Sequence, residues 1–148
     1  MANRFSKGIF TPKNPEKYIG KGTIIYRSSW ELTFMEKCDT HPSILKWASE
    51  AIKIPYVNPL TRKRTVYVPD FLIVVLDSQN RQRAELIEIK PYSQISLEAA
   101  GKSSRNQAQA IINMAKWEAA RAFCKHKNMS FRIITEHDMF HGTKRPKK

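Results

Sequence analysis

The chain has 148 residues and carries 26 Lys and Arg against 13 Asp and Glu, a formal net charge of +13. This length predicts one domain with its own core, and 41% hydrophobic residues argue against intrinsic disorder. The longest apolar run, residues 71–76, is too short to span a membrane, the N-terminus has no apolar secretion signal, and two cysteines cannot form a disulfide framework.

The positive charges are clustered, which favours a nucleic-acid partner over a merely solvated surface in a soluble intracellular protein. The clusters lie in the N-terminal arm, at Arg62, Lys63 and Arg64, and in the tail from residue 144. Each cation placed on a phosphate releases counterions, so DNA binding should weaken strongly with salt. The cluster at residues 62–64 falls on a predicted turn, and it is either a phosphate clamp or simply an exposed turn.

The first forty residues predict an arm, a short strand and a helix. Gly and Pro interrupt any periodicity over residues 1–21, which predicts an irregular basic arm. A strand is predicted over residues 23–26. Ser28 or Ser29 is a suitable N-cap for an amphipathic helix through about Lys37, because apolar residues recur there at every fourth position.

The middle of the chain predicts an antiparallel meander of successive hairpins. Short apolar or alternating runs are separated there by turn-forming residues. The predicted strands cover residues 45–48, 52–56, 65–68, 70–76 and 84–90, with turns at 58–61 and 77–80.

The last third predicts a polar irregular stretch, a long helix from about Arg105 to His126, and a strand over residues 130–135. The apolar stripe of that helix is predicted to consist of Ala108, Ile111, Ile112, Ala115, Ala119, Ala122 and Phe123. The order of elements predicts an α/β (α+β) fold with a mixed sheet. The domain is expected over residues 22–141, between the arm (1–21) and a disordered basic tail (142–148).

Asp70, Glu88 and Lys90 form a candidate site. Glu88 and Lys90 are two positions apart on a predicted strand and therefore share a face. If residues 71–76 and 84–90 pair as a hairpin, Asp70 lies beside both. Two carboxylates and an ammonium group suit Mg²⁺ or Mn²⁺ and a phosphate, which is the chemistry of phosphodiester hydrolysis. A cross-strand ion pair at a solvated strand end is the alternative.

Glu31 lies near the start of the first predicted helix, beside its apolar face. The residue either points inward toward the candidate site or only complements the positive end of the helix dipole. The residue pattern by itself leaves both interpretations open.

These residues resemble a known family. Pro69-Asp70 followed by Glu88-Ile89-Lys90, with Glu31 upstream, resembles the signature of the PD-(D/E)XK nucleases. The runs over residues 26–31, 67–71 and 85–91 are similar to its TnsA-like branch. The resemblance implies a restriction-endonuclease-like core, a mixed central sheet flanked by helices, and a divalent-metal-dependent endonuclease or end-trimming activity on DNA.

The same resemblance implies roles for individual residues. Asp70, Glu88 and the Ile89 carbonyl would ligate Mg²⁺ or Mn²⁺, and Glu31 would complete the coordination directly or through water. Lys90 would position the attacking water. Some branches use a Gln from the helix after the lysine strand, and Gln107 or Gln109 could supply it.

The short chain and its basic ends are most similar to the bacteriophage nucleases that finish the DNA-filled head before the tail is joined. This implies phage portal or neck proteins as partners, and the host cytoplasm or the virion as the location. Two alternatives stay open. One is a junction-resolving endonuclease that acts as a homodimer on branched DNA, and the other is a structural virion protein that binds DNA ends and keeps an unused nuclease fold.

Overall fold

A four-stranded mixed sheet lies at the centre of the structure, a computed structural model that describes residues 7–139. The strands are β1 (Gly8–Phe10), β2 (Ile24–Tyr26), β3 (Ile44–Ser49), β4 (Ile54–Val57), β5 (Arg64–Tyr67), β6 (Phe71–Leu76), β7 (Gln82–Ile89) and β8 (Ser130–Ile134). The helices are α1 (Ser29–Thr40), α2 (Leu97–Ala100), α3 (Ser104–His126) and α4 (Glu136–Met139). Short 3-10 helices cover Pro15–Lys17 and Tyr92–Gln94.

The central sheet has the strand order β3-β6-β7-β8. The first three strands are antiparallel neighbours, whereas β8 runs parallel to β7. Parallel neighbours need a crossover connection, and α3 provides it. This arrangement confirms the predicted fold class, a mixed sheet flanked by helices.

The two faces of the sheet are covered by different helices. Because side chains alternate along a strand, neighbouring residues of β7 enter different cores. On one face, α1 packs Phe34, Met35 and Cys38 against Trp47, Phe71, Ile73, Ile87 and Ile89. On the other face, α3 packs Trp117, Ala120 and Cys124 with Ile54, Tyr67 and Leu86.

Both main helices begin where a serine caps them. The hydroxyl of Ser28 accepts from the main-chain N–H of Glu31, and that of Ser103 accepts from the N–H of Asn106.

The predicted stripe of α3 was in the wrong phase, since the buried residues are Ala110, Asn113, Trp117, Ala120 and Cys124. Sequence alone favoured the aliphatic residues, whereas the packed face includes an amide and a large indole. Within residues 7–139, no helix combines the length and apolarity needed to cross a membrane.

The predicted meander was wrong at two of its hairpins, β3 with β4 and β5 with β6. β3 pairs with β6, while β4 pairs with β5 in a separate two-stranded hairpin. β6 is apolar on both faces and is therefore most stable between two strands. β4 contains Pro55, which lacks an N–H and suits a strand at the edge of a sheet.

The predicted irregular arm was also wrong for the residues that the structure describes. β1 pairs antiparallel with β2, from Gly8 opposite Tyr26 to Phe10 opposite Ile24. Buried Asp39 holds the following turn, because its carboxylate accepts from the main-chain N–H groups of Lys13 and Asn14 at 2.8 and 2.9 Å. The tail over 142–148 lies outside the described residues, and the domain boundaries stay predictions.

Candidate active site

The predicted hairpin of β6 and β7 is confirmed, and it brings Asp70 and Glu88 together. Phe71 pairs with Ile87, so Asp70 and Glu88 follow one position further along the same register. Both lie at the edge of the sheet where β7 and its parallel neighbour β8 have their carboxyl ends. Ligands of open α/β sheets bind at this end of parallel strands.

The two carboxylates are held by different hydrogen bonds. Oδ2 of Asp70 accepts from the main-chain N–H of Ile89 at 2.8 Å. Glu88 is only 4% exposed, and its Oε1 accepts from the hydroxyl of Tyr67 at 2.7 Å. The Nζ of Lys90 lies 3.7 Å from Oε2 of Glu88. Each acid therefore has a fixed orientation, and Lys90 stands beside them as predicted.

The site disfavours full ionisation in the absence of a further cation. Burial raises the pKa of Asp70 well above its ordinary value, and the negative charge of Glu88 raises it further. Burial also raises the pKa of Glu88, although Lys90 and the Tyr67 hydroxyl oppose this effect. Two neighbouring acids of this kind bind a proton more tightly than two exposed carboxylates do, and a further cation beside them would oppose this effect.

Glu31 lies at the positive end of the α1 dipole and also borders the candidate site. It lies in the first turn of α1, where its Oε1 accepts from the main-chain N–H of Arg27 at 2.9 Å. Burial raises the pKa of Glu31, while the charge of Lys90 lowers it. The negative charge of Glu31 in turn raises the pKa of Asp70. Glu31 and Lys90 also line one open cavity of about 230 Å³, together with Ile89 and Gln94. The residue therefore caps its helix and borders the candidate site.

The donor set fits a hard cation that keeps much of its own hydration. Within residues 7–139, no three His, Cys, Asp or Glu side chains are grouped closely enough to hold a metal ion alone. Mg²⁺ is commonly held by one or two carboxylates together with water and phosphate oxygens. Asp70 and Glu88 therefore suit Mg²⁺ better than Zn²⁺, which mostly takes Cys and His ligands.

The two candidate glutamines have other partners. The amide of Gln107 donates to the carbonyl of Gly101 at 2.6 Å, and that of Gln109 donates to Oδ1 of Asn113 at 3.0 Å. Neither amide is bonded to Asp70, Glu88 or Lys90 in the described structure. These contacts give the predicted supporting role no backing.

Arg62, Lys63 and Arg64 lie where the sequence placed them, at the exposed tip of the β4–β5 hairpin. Asn58 organises the tip, because its Oδ1 accepts from the N–H of Leu60 and its carbonyl accepts from the N–H of Arg62. The base of the same hairpin carries Tyr67 into the site. The phosphate-clamp interpretation stays a prediction.

Sequence reasoning missed Tyr67 and Lys116. The Nζ of Lys116, on α3, lies 5.7 Å from the centroid of the Tyr67 ring. A signal existed in the sequence, since Lys116 directly precedes a tryptophan within an otherwise amphipathic helix. It could be used only with the correct helix phase, which the aliphatic stripe concealed.

Comparison with known proteins agrees with this geometry. The family model described as TnsA-like endonuclease N terminal matches residues 41–136, a range that includes Asp70, Glu88 and Lys90. The head completion nuclease of Enterobacteria phage T4 is 35% identical over 139 residues, which cover 87% of this chain and 90% of that protein. The chain therefore belongs to the TnsA-like endonuclease family, as its sequence motifs indicated.

Proposed function

We propose that this protein is a divalent-metal-dependent DNA nuclease that hydrolyses phosphodiester bonds at the site formed by Asp70 and Glu88. One observation carries the proposal: the buried Glu88 and the partly buried Asp70 lie side by side at the end of β7, with the ammonium of Lys90 3.7 Å from Glu88. Burial raises the pKa of both acids, so a bound cation would stabilise their ionised forms. Family membership supports the same reaction class.

Each side chain has a separate task in this proposal. Asp70, Glu88 and the Ile89 carbonyl would hold Mg²⁺ or Mn²⁺, and Glu31 would complete the coordination directly or through water. A bound divalent ion polarises a phosphate oxygen and lowers the pKa of a water molecule. Lys90, whose side chain is 24% exposed, orients the attacking water and offsets the negative charge that develops on the phosphate.

DNA reaches the site across a basic surface. The net charge of +13 favours association with the phosphate backbone, and the tip of the β4–β5 hairpin concentrates Arg62, Lys63 and Arg64. Because Tyr67 anchors this hairpin to Glu88, a strand bound at the tip is held by the same unit that orients the acid.

The biological step follows from the relative. A protein named a head completion nuclease shares 35% identity with this chain across 90% of its own length. We propose that this nuclease acts in bacteriophage head completion after DNA packaging, and the host cytoplasm or the virion as its location and portal or neck proteins as its partners are part of the same proposal.

The test is a cleavage assay with linear, circular and four-way DNA in Mg²⁺ and in EDTA. Wild type should cleave only with the divalent ion, and Lys90→Ala should lose about 10²-fold or more of the rate. Lys53→Ala removes an equal charge from an exposed position and serves as the control. Cleavage in EDTA, or full activity of Lys90→Ala, contradicts the proposal.

The substrates separate the alternatives. Preferential cleavage of four-way DNA by a dimer indicates a junction-resolving enzyme. DNA binding without cleavage of any substrate indicates a structural virion protein.

A further inference from the structure

Lys116 is a second lysine close to the candidate site, and it arrives from a different element. It lies on α3, is partly buried, and directly precedes the buried Trp117. Its Nζ stands over the Tyr67 ring at 5.7 Å from the centroid, and the hydroxyl of that ring donates to Glu88. Lys116, Tyr67 and Glu88 therefore form a continuous chain of contacts on the α3 side of the sheet.

The topology directs this side chain toward the acids. α3 connects β7 to its parallel neighbour β8, so the helix runs back along the sheet and begins near the carboxyl ends of both strands. Long side chains on a helix lean toward its N-terminus. The ammonium of Lys116 is accordingly close enough to interact electrostatically with Lys90, Glu88 and Asp70.

The location is costly for a lysine that has only a packing role. Burial and the positive charge of Lys90 both lower the pKa of Lys116, while Glu88 and Asp70 oppose the change. An ammonium group in this position needs anionic partners. Glu88 already has Lys90 at 3.7 Å, and the charge of Lys116 acts on the same acid.

The charges of the cluster also call for a second lysine. Glu31, Asp70 and Glu88 with Lys90 and Lys116 carry one formal net negative charge. A divalent cation converts this to one net positive charge, which complements a phosphodiester. Without Lys116 the cation-loaded cluster is formally neutral and attracts the substrate less strongly.

We propose that Lys116 is a phosphate-binding residue of the active site. It contacts a non-bridging oxygen of the DNA backbone, while Lys90 orients the attacking water. The inference rests on the proposed nuclease function and assigns a further residue to the same site. The ammonium group of Lys116 packs over the face of the Tyr67 ring, and α3 holds the backbone of Lys116 in place.

The test compares Lys116→Met, Lys116→Arg and Lys127→Met. Lys127 is a matched control, because its Nζ stands 6.0 Å from the centroid of the Phe123 ring and the residue is exposed. We expect Lys116→Met to lower kcat/KM by about 10- to 100-fold, the loss of one charge-assisted hydrogen bond. Lys116→Arg should recover much of this loss, and Lys127→Met should cleave as wild type does.

A binding measurement supplies a readout besides activity. On the Lys90→Ala background in Mg²⁺, adding Lys116→Met should reduce the slope of log affinity against log salt by about 1, as expected for one lost phosphate contact. A folded Lys116→Met variant with wild-type cleavage and an unchanged slope overturns the inference. If Lys116→Met unfolds, failure of Lys116→Arg to cleave and to bind with the full slope overturns it. If wild type does not cleave in Mg²⁺, the nuclease proposal fails, and the salt slope is then measured in wild type and decides the role of Lys116 separately.

Discussion

The hydroxyl of Tyr67 donates a 2.7 Å hydrogen bond to Oε1 of Glu88 and so joins the β4–β5 hairpin to the candidate active site. The bond is buried, and it uses one of the two oxygens of an acid that is itself only 4% exposed. Among the strands of residues 7–139, neither strand of the hairpin pairs with a strand of the central sheet. Tyr67 and the packing of Ile54 against the α3 core therefore determine how the basic tip is positioned relative to the acids.

Replacing Tyr67 by phenylalanine should shift the pH dependence of cleavage. The Tyr67 hydroxyl lowers the pKa of Glu88, so its removal leaves that pKa higher than in wild type. Glu88 then becomes protonated at a higher pH, and the acid limb of the rate profile moves upward in pH. The unfolding free energy should fall by about 1–2 kcal/mol, because Oε1 stays buried without a donor.

Tyr56→Phe, on the strand paired with β5, is the matched control for Tyr67→Phe. Rate profiles over pH and denaturant unfolding of both variants provide the measurement. An acid limb at the same pH in Tyr67→Phe and wild type would show that the bond does not influence the reacting groups.

Asp70→Asn should stabilise the metal-free protein while abolishing cleavage. The folded-state pKa of Asp70 is raised by burial and by Glu88, so the folded protein binds the proton more tightly than the unfolded chain. Stability therefore falls as pH rises from the unfolded toward the folded pKa, and the full penalty applies above both. An amide avoids this penalty and can still accept from the N–H of Ile89.

Thermal unfolding near neutral pH, with EDTA or Mg²⁺, measures this effect. A gain of about 1 kcal/mol would raise Tm by about 4 °C. Mg²⁺ should raise Tm in wild type and do so much less in Asp70→Asn, because a ligand of the folded state stabilises it. Glu85→Gln, which removes the negative charge 3.3 Å from Arg132, is a control that should not gain stability. A lower Tm for Asp70→Asn in EDTA would contradict the prediction.

Alanine at Arg62, Lys63 and Arg64 together should weaken DNA binding without sequence preference. Three lost phosphate contacts reduce the slope of log affinity against log salt by about 3. The double replacement of Arg81 and Arg83, near the opposite end of the β6–β7 hairpin, should change the slope little. Fluorescence titrations at several salt concentrations give both slopes, and equal slopes for the two variants would remove the hairpin tip from the DNA interface.

Asp39→Ala should release the segment that follows β1. Asp39 is 2% exposed, and its carboxylate is the acceptor for two main-chain N–H groups, so the alanine variant should lose about 1–3 kcal/mol of unfolding free energy. Trypsin should cut faster after Lys13 and Lys17. Glu36→Ala, on the exposed side of the same helix, provides the comparison. Equal rates of proteolysis in the two variants would show that the Asp39 contacts do not hold this segment.

The sequence by itself was sufficient wherever structure depends on neighbouring residues. A serine cap at residue 28 or 29, the extent of α3 and the β6–β7 hairpin all follow from local spacing and turn chemistry. Because the hairpin brings its two ends together, it also determined that Asp70, Glu88 and Lys90 lie close to one another. The motif could therefore be recognised before any coordinates.

The tertiary structure decided what distant segments do to one another. β6 is apolar on both faces and is best buried between β3 and β7, which displaced β4 and β5 into their own hairpin. The large side chain of Trp117, and not the count of aliphatic residues, set the buried face of α3. This packing places Tyr67 and Lys116 near Glu88. Which side chains are buried depends on all the elements packed together and cannot be read from one periodic segment.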